Sequence, residues 1–460
     1  MLNYDVIMII CVEIESRFLT EKYRKDLLSL GLASKKFLEP ALDVLWKDIG
    51  GIEPLLSVLP ETTLINGQKM LVQPIAPSSW DRLHFYTSRV RAFKGPWDAE
   101  GMIHDSVYAY LSQGTPIFPN LKRLEPSYQL CSSNSYTLFL ATRLQVVSWP
   151  DSYQEDDASY AESDLGPSLA LLVSTSPGLK SLTLDQYIYS RLTLSLSTLR
   201  SLEILLAYRL PHLEMDFIQA IALLPKLTDL SLTLPAGILL DYAGVESGFP
   251  SLTELELRGS TFDTRIFLAV VRPKALRDLA VSWTVMDHLL DISAITRILS
   301  SFHCLRGLEI DGEDLLPLPP DLDELRLWSI FEPLLELKWL ERLRYNIPLP
   351  VSDQKTVRIS SAWPRIKALD LYSADGLSSF ESLVHFARHC PDLRSLSYPI
   401  DFETIKPKVI VFSTMIPPTL SPHPLRFFHI HNEVNHHQCP RYRARFVSDL
   451  PEPHERFGRW

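Results

Sequence analysis

The segment Leu-x-x-Leu-x-Leu, often led by a proline or a cysteine, returns along most of this 460-residue chain, and that return limits the possible folds more than any other feature. The clearest copies begin at Leu179, Leu199, Leu227, Leu252, Leu276, Leu305, Leu340, Ile366 and Leu393, with weaker ones at Leu121, Leu144 and Leu425. Side chains alternate in direction along a strand, so the second and third apolar positions of each copy share one face. A single copy cannot bury that face alone; neighbouring copies must stack and share a core.

Starts of the clear copies lie 20 to 35 residues apart, the length of a leucine-rich repeat that carries a strand and a helix in each turn. The expected fold class is therefore α/β: a leucine-rich-repeat solenoid with parallel strands on the concave face, helices outside and a small all-α module ahead of it. Pro119, Pro177, Pro225, Pro250, Pro364 and Pro391 fall just before the strands. Lacking an amide hydrogen and disfavouring helix in the residue ahead, proline ends each helix there. Cys304 and Cys390 stand near the same corner, where a small buried thiol is expected.

Residues flanking the middle leucine point away from the core, and stacked strands join them into one surface. Reading these positions and the one after the last leucine gives Glu203, Asp229, Glu254, Glu256, Asp278, Glu309, Asp311 and Asp370, with Asp185, against Arg258, Arg342 and Arg344. An acidic concave face follows, suited to a protein substrate that presents a basic segment between Glu203 and Asp311. The position after the first leucine shows the opposite bias, in Lys180, Arg200, Arg277, Arg306, Lys367 and Arg394.

A formal net charge of -10 offers no global basic field for a phosphate backbone or an anionic membrane, so neither nucleic acid nor membrane is an expected partner. The early apolar run Val6 to Val12 lacks a basic leader and is followed by Glu13 and Glu15, unlike a signal peptide. Five scattered cysteines without a Cys-x-x-Cys pair, and no Asn-x-Ser/Thr acceptor, fit an intracellular protein, cytoplasmic or nuclear.

Residues 1–60 lack the repeat and read as helices. Val6, Ile9, Ile10 and Ile14 recur on one face, and Asp5 is placed to cap the segment. Leu27, Leu28, Leu32 and Ala33 mark a second helix, and a third opens at Pro40. The string from Asp26 to Trp46, Asp-Leu-Leu-Ser-Leu-Gly-Leu-Ala-Ser-Lys-Lys-Phe-Leu-Glu-Pro-Ala-Leu-Asp-Val-Leu-Trp, resembles the second and third helices of the F-box-like modules of mushroom-forming fungi. In that family degenerate leucine-rich repeats follow, as here. The family's opening Leu-Pro pair is absent, and Asn3-Tyr4-Asp5 stands in its place.

The resemblance implies a non-catalytic substrate receptor of a cullin-RING (SCF-type) ubiquitin ligase. The head would grip the small adaptor subunit while the repeats hold the protein to be ubiquitinated. Leu27, Leu28, Leu32, Ala33, Phe37, Leu45 and Trp46 match the family's adaptor-binding and core pattern. A leucine-rich-repeat scaffold without a ligase is the alternative. The partition implied is a head over 1–60, a linker and first irregular coil over 61–118, the solenoid over 119–430 and a tail or cap over 431–460.

Glycine loops for phosphate, Gly-x-Ser-x-Gly and His-Glu-x-x-His are all missing, so no catalytic residue is nominated and no cofactor is implied. His429, His431, His436, His437 and Cys439 form the densest set of metal-ligand types, but solvated imidazoles explain them and no metal site is expected. The acid-rich stretch 151–166 reads as an insertion after the copy at Leu144.

Overall fold

The computed structural model describes residues 3–17, 22–95, 103–112, 116–125, 138–141, 143–148, 171–184, 196–208, 215–235, 248–271, 273–285, 289–312, 324–372, 377–400 and 427–430. Three helices form the head: α1 (Tyr4–Arg17), α2 (Lys22–Ala33) and α3 (Lys35–Leu45). Their core is Ile7, Cys11, Leu27, Ala41 and Val44. The buried stripe of α1 thus runs through Ile7 and Cys11, and Val6, Ile9 and Ile10 of the expected face are exposed. With apolar residues nearly all round this helix, periodicity alone could not select a face.

Helix α3 starts at Lys35 rather than Pro40, because the Ser34 hydroxyl accepts from the Lys36 amide and caps it. Pro40 lies inside the helix. Asp5 sits in the first turn of α1, accepts from the Asn3 side chain and does not cap the helix. At Gly31 the second and third helices come close: a Cβ there would meet the Ala41 Cβ at 3.3 Å.

A parallel sheet begins immediately after the head. Its order is β1 (Asp48–Ile49), β4 (Ala92–Lys94), β5 (Arg123–Glu125), β6 (Val146–Ser148), β7 (Ser181–Leu184), β8 (Ile204–Ala207), β9 (Asp229–Thr233), β10 (Glu254–Ser260), β11 (Asp278–Val285), β12 (Gly307–Asp311), β13 (Arg342–Asn346), β14 (Ala368–Leu371), β15 (Ser395–Tyr398) and β16 (Phe427–Ile430). The sheet therefore starts inside the segment read as head. Ile49, Ile52, Leu55, Leu56 and Leu59 all belong to the solenoid core. The weak copies at Leu121, Leu144 and Leu425 carry strands in the common register.

Between β1 and β4 lie a short helix α4 (Glu53–Leu56), a hairpin of β2 (Thr62–Ile65) and β3 (Gln68–Leu71), and helix α5 (Pro77–Thr87). Asn66 and Gly67 turn that hairpin with φ of 50° and 83°, the left-handed pair that matches strand twist. Helix α6 (Asp105–Leu111) follows β4. Later coils return through α7 (Met215–Ala222), α8 (Thr261–Val270), α9 (Leu289–Leu299), α10 (Glu324–Phe331), α11 (Asp353–Ala362) and α12 (Ser382–His389).

Two inward rows make the core. One passes through Leu205, Leu230, Leu255, Leu279, Leu308, Leu343, Leu369 and Leu396, all at most 3% exposed. Each such leucine contributes about 1.5–3 kcal/mol by leaving water. A backbone spine locks the register. The Lys180 carbonyl accepts from both Glu203 and Ile204, that of Glu203 from Thr228 and Asp229, and that of Thr228 from Thr253 and Glu254. The same double acceptance recurs from Lys47 to Lys367.

Register corrects one repeat. Ile204 aligns with Asp229, so that copy starts at Leu202 and not at Leu199. Leu199 instead takes the buried corner three residues ahead, the place of Phe249, Phe302, Trp363 and Cys390 in other copies. A difference of two places separates the two cysteines near corners. Cys390 is in the corner position and buried, whereas Cys304 directly precedes its first leucine and is exposed.

Candidate functional site

Outward strand positions form three rows on the concave face. In the first, Asp229, Glu254 and Asp278 are consecutive, followed by Gly307 and Arg342. The second contains Ser231, Glu256, Ala280, Glu309, Arg344 and Asp370. The third includes Arg258, Ser282, Asp311 and Asn346. Seven of the nine carboxylates assigned to this face therefore lie on it, and Asp185 lies outside the described residues. Glu203 does not lie on it: after the register correction it occupies the position following the first leucine, on the rim at the start of the strands.

Most of these carboxylates are already held by this chain. Glu256 accepts from Arg258 at 2.7 and 2.9 Å and from the Ser231 hydroxyl at 2.9 Å. The Arg258 guanidinium also lies 5.4 Å from the centre of the Tyr208 ring. Arg344 donates to Glu309 at 2.8 Å and reaches Asp370 at 3.9 Å. Arg342 bridges to Asp278 at 2.5 Å, and Asn346 donates to Asp311 at 3.0 Å. Burial pushes the Glu309 carboxyl above its ordinary range, with Arg344 opposing that shift.

The face is thus a set of closed charge pairs more than an open acidic field. Of its first row, Glu254 makes no side-chain hydrogen bond or ion pair among the described residues. Exposed pairs of this kind stabilise little, about 0–1 kcal/mol each. They also lower the charge available to a visitor, because each paired arginine must be displaced before its carboxylate can bind a new cation.

The head places its candidate residues differently from one another. Leu27 is fully buried; Phe37 and Leu45 are half-buried against the head core. Leu28 and Leu32 are 52% and 75% exposed, and Ala33 is exposed. Trp46 packs toward the solenoid, its ring 4.5 Å from that of Tyr86 on α5. Beside it, Arg89 pairs with Glu39 and Asp43 of α3, stacks 4.0 Å over the Phe85 ring, and donates to the Phe85 carbonyl. Tyr4 donates to Asp43 as well, and that hydrogen bond pushes its hydroxyl up to about 12.

This joint between head and first coil was invisible to repeat reasoning, since Arg89 belongs to no motif. The cross-coil pairs had a signal: once copies are aligned by their leucines, Asp278, Gly307 and Arg342 fall in one column. Among the described residues no group of three or more His, Cys, Asp or Glu side chains is placed to hold a metal ion. His429 lies on β16, while His431, His436, His437 and Cys439 lie outside the described residues. The stretch 151–166 lies outside them too. No described helix is long and apolar enough to cross a membrane.

Neither a family model nor a curated protein matches the chain. Among solved structures it is similar to an internalin (inlF) from Listeria monocytogenes, at 13% identity and a TM-score of 0.33, covering 70% of this chain and 79% of that one. An internalin C2 (inlC2) from the same organism is similar at 13% identity and a TM-score of 0.26, with 56% and 84% covered. At these scores nothing of what internalins do passes to this chain.

Proposed function

We propose that this protein is a non-catalytic adaptor in which an F-box-like head binds the small adaptor subunit of a cullin-RING ligase and the leucine-rich-repeat solenoid recruits a protein for ubiquitination. The observation that carries this reading is the apolar balance of the head. Val6, Ile9, Ile10, Val12, Leu28, Leu32 and Leu38 are exposed, against a buried core of Ile7, Cys11, Leu27, Ala41 and Val44. Seven exposed large aliphatic side chains on a unit with so few fully buried ones favour a covering partner. Sequence resemblance over Asp26–Trp46 names the cover.

The attachment of the head supports the same reading. Trp46, Arg89 and Tyr86 fix it against the first coil, so a ligand held by the solenoid keeps a defined geometry relative to whatever the head binds. That arrangement suits a receptor that must present its client to a second enzyme.

The test is co-purification of the full chain with the adaptor subunit, comparing wild type with a Leu28→Asp, Leu32→Asp variant. Both side chains are already exposed, so the fold is expected to survive. Binding by wild type that the variant loses supports the proposal; a folded wild type that fails to bind at micromolar concentration sinks it. In that event the chain is an interaction scaffold without a ligase, a reading favoured by the start of α1 at Asn3-Tyr4-Asp5, without the family's Leu-Pro lead.

A further inference from the structure

We infer that the rim at the starting ends of the strands, centred on Arg200, Lys226, Lys274 and Arg277, is a docking edge for an acidic polypeptide segment. The inference stands independently of what the head binds. In the coils of β4 to β15 the residue at the first-leucine position and the corner residue three before it are buried, which turns the intervening residues and the one following outward. Along this edge bases outnumber acids, of which the described copies carry Glu203, Glu341 and Asp392.

Two of these acids are satisfied within the rim itself. Glu203 pairs with Lys180 at 3.1 Å, and Glu341 pairs with Arg306 and Lys367. Lys122, Arg200, Lys226, Lys274, Arg277 and Arg394 are exposed and make no side-chain hydrogen bond, ion pair or ring contact among the described residues. Among the described residues, acids of the concave face are thus largely paired, whereas these six rim bases are not.

Four of the free bases cluster in the coils of β8, β9 and β11, with the neutral turn Pro250, Ser251 and Thr253 of the β10 coil between them. Coils stack at the strand spacing of about 4.8 Å, so β8 to β11 spans roughly 14 Å, the length of about four extended residues. The backbone spine holds the spacing of the coils that carry these bases without any ligand. A short run of Asp and Glu along the edge meets one base in each of the β8 and β9 coils, none in the β10 coil and two in the β11 coil.

A nucleic acid fits less well. Asp229, Glu254 and Asp278 stand just inside the rim on the same coils, where a polyanion wider than an extended peptide meets them. Between Arg200 and Arg277 the turn residues are Ser201, Pro225, Pro250, Ser251 and Ala275, with no aromatic ring on which a base could stack.

The experiment is fluorescence anisotropy of a labelled oligoglutamate peptide titrated with the full chain at about 50 mM salt, where screening is weak. Wild type is expected to bind, and the variant Arg200→Gln, Lys226→Gln, Lys274→Gln, Arg277→Gln to bind about tenfold or more weakly, with Glu254→Gln unaffected as control. The pair Arg200→Gln, Lys226→Gln replaces the fourfold variant if circular dichroism shows that one unfolded. Absence of binding by wild type, or equal binding by the variants, overturns the inference. Tighter binding of a single-stranded RNA of equal charge, lost in the same variants, overturns the partner class.

Discussion

Arg342 and Asp278 form an ion pair across two coils, their side chains meeting at 2.5 Å above Gly307 of the strand between them. The glycine makes the pair possible. A Cβ at Gly307 would overlap Asp278 Oδ1 and come within 3.2 Å of the Arg342 guanidinium. Because the blocking atom is the end of a flexible side chain, Gly307→Ala should leave the fold intact. A double-mutant cycle of Asp278→Ala and Arg342→Ala is expected to show a coupling of about 0.2–1 kcal/mol, given that Arg342 is more than half exposed. Repeating the cycle on Gly307→Ala should give none; an unchanged coupling would mean the bridge does not need the gap.

Arg89 is the pin between head and solenoid, its side chain 11% exposed and engaged by Glu39, Asp43 and the Phe85 ring. Arg89→Ala removes the cation shared by Glu39 and Asp43, leaving Asp43 its hydrogen bond from Tyr4, and removes the ring contact. A local cost of about 2 kcal/mol is expected. Hydrogen exchange is the appropriate readout: amides of α1 to α3 should exchange faster while those of β9 to β13 keep their protection. Equal acceleration in both regions would show that head and solenoid unfold as one unit.

Thiol accessibility separates positions that look alike in the sequence. Cys304 should react with iodoacetamide in the native protein. Cys11 and Cys390 should react only after unfolding, since both are buried and burial pushes both thiols up, that of Cys390 to about 12. Mass spectrometry of the labelled peptides decides it, and native labelling of Cys390 would place that corner in water.

The repeat was legible because leucine spacing carries the strand pattern directly, and the sheet follows from stacking. Where reading slipped, a second apolar residue stood at a competing offset: Leu199 fills a corner and imitates a repeat start. On α1, Val6, Ile9 and Ile10 satisfy helical periodicity as well as Ile7 and Cys11 do, so periodicity does not select the buried face. Most charges of the concave face occupy outward strand positions, which alternation encodes, whereas their pairing is not encoded locally. Glu309 and Arg344 are distant in sequence and become neighbours only when adjacent strands lie side by side. No local pattern encodes the joint at Trp46, Tyr86 and Arg89.

Glu61 makes the acid limb of the stability curve testable. Its Oε1 accepts from the Ala76 amide at 3.0 Å and the Ser79 hydroxyl at 2.7 Å, capping α5 where Ala76 has no side-chain acceptor of its own. The Ala76 amide first, and the Ser79 hydroxyl next, hold the carboxyl below its ordinary range. A folded value below the unfolded one means that the unfolded chain binds the proton more readily. The contribution is therefore fully present above the unfolded value of about 4.3 and is lost as pH falls through the folded value. Urea midpoints for wild type should drop on acidification below about pH 5, and Glu61→Gln, which keeps the acceptor but not the charge, should start lower and fall less steeply. Parallel acid limbs for the two proteins would remove Glu61 from the account.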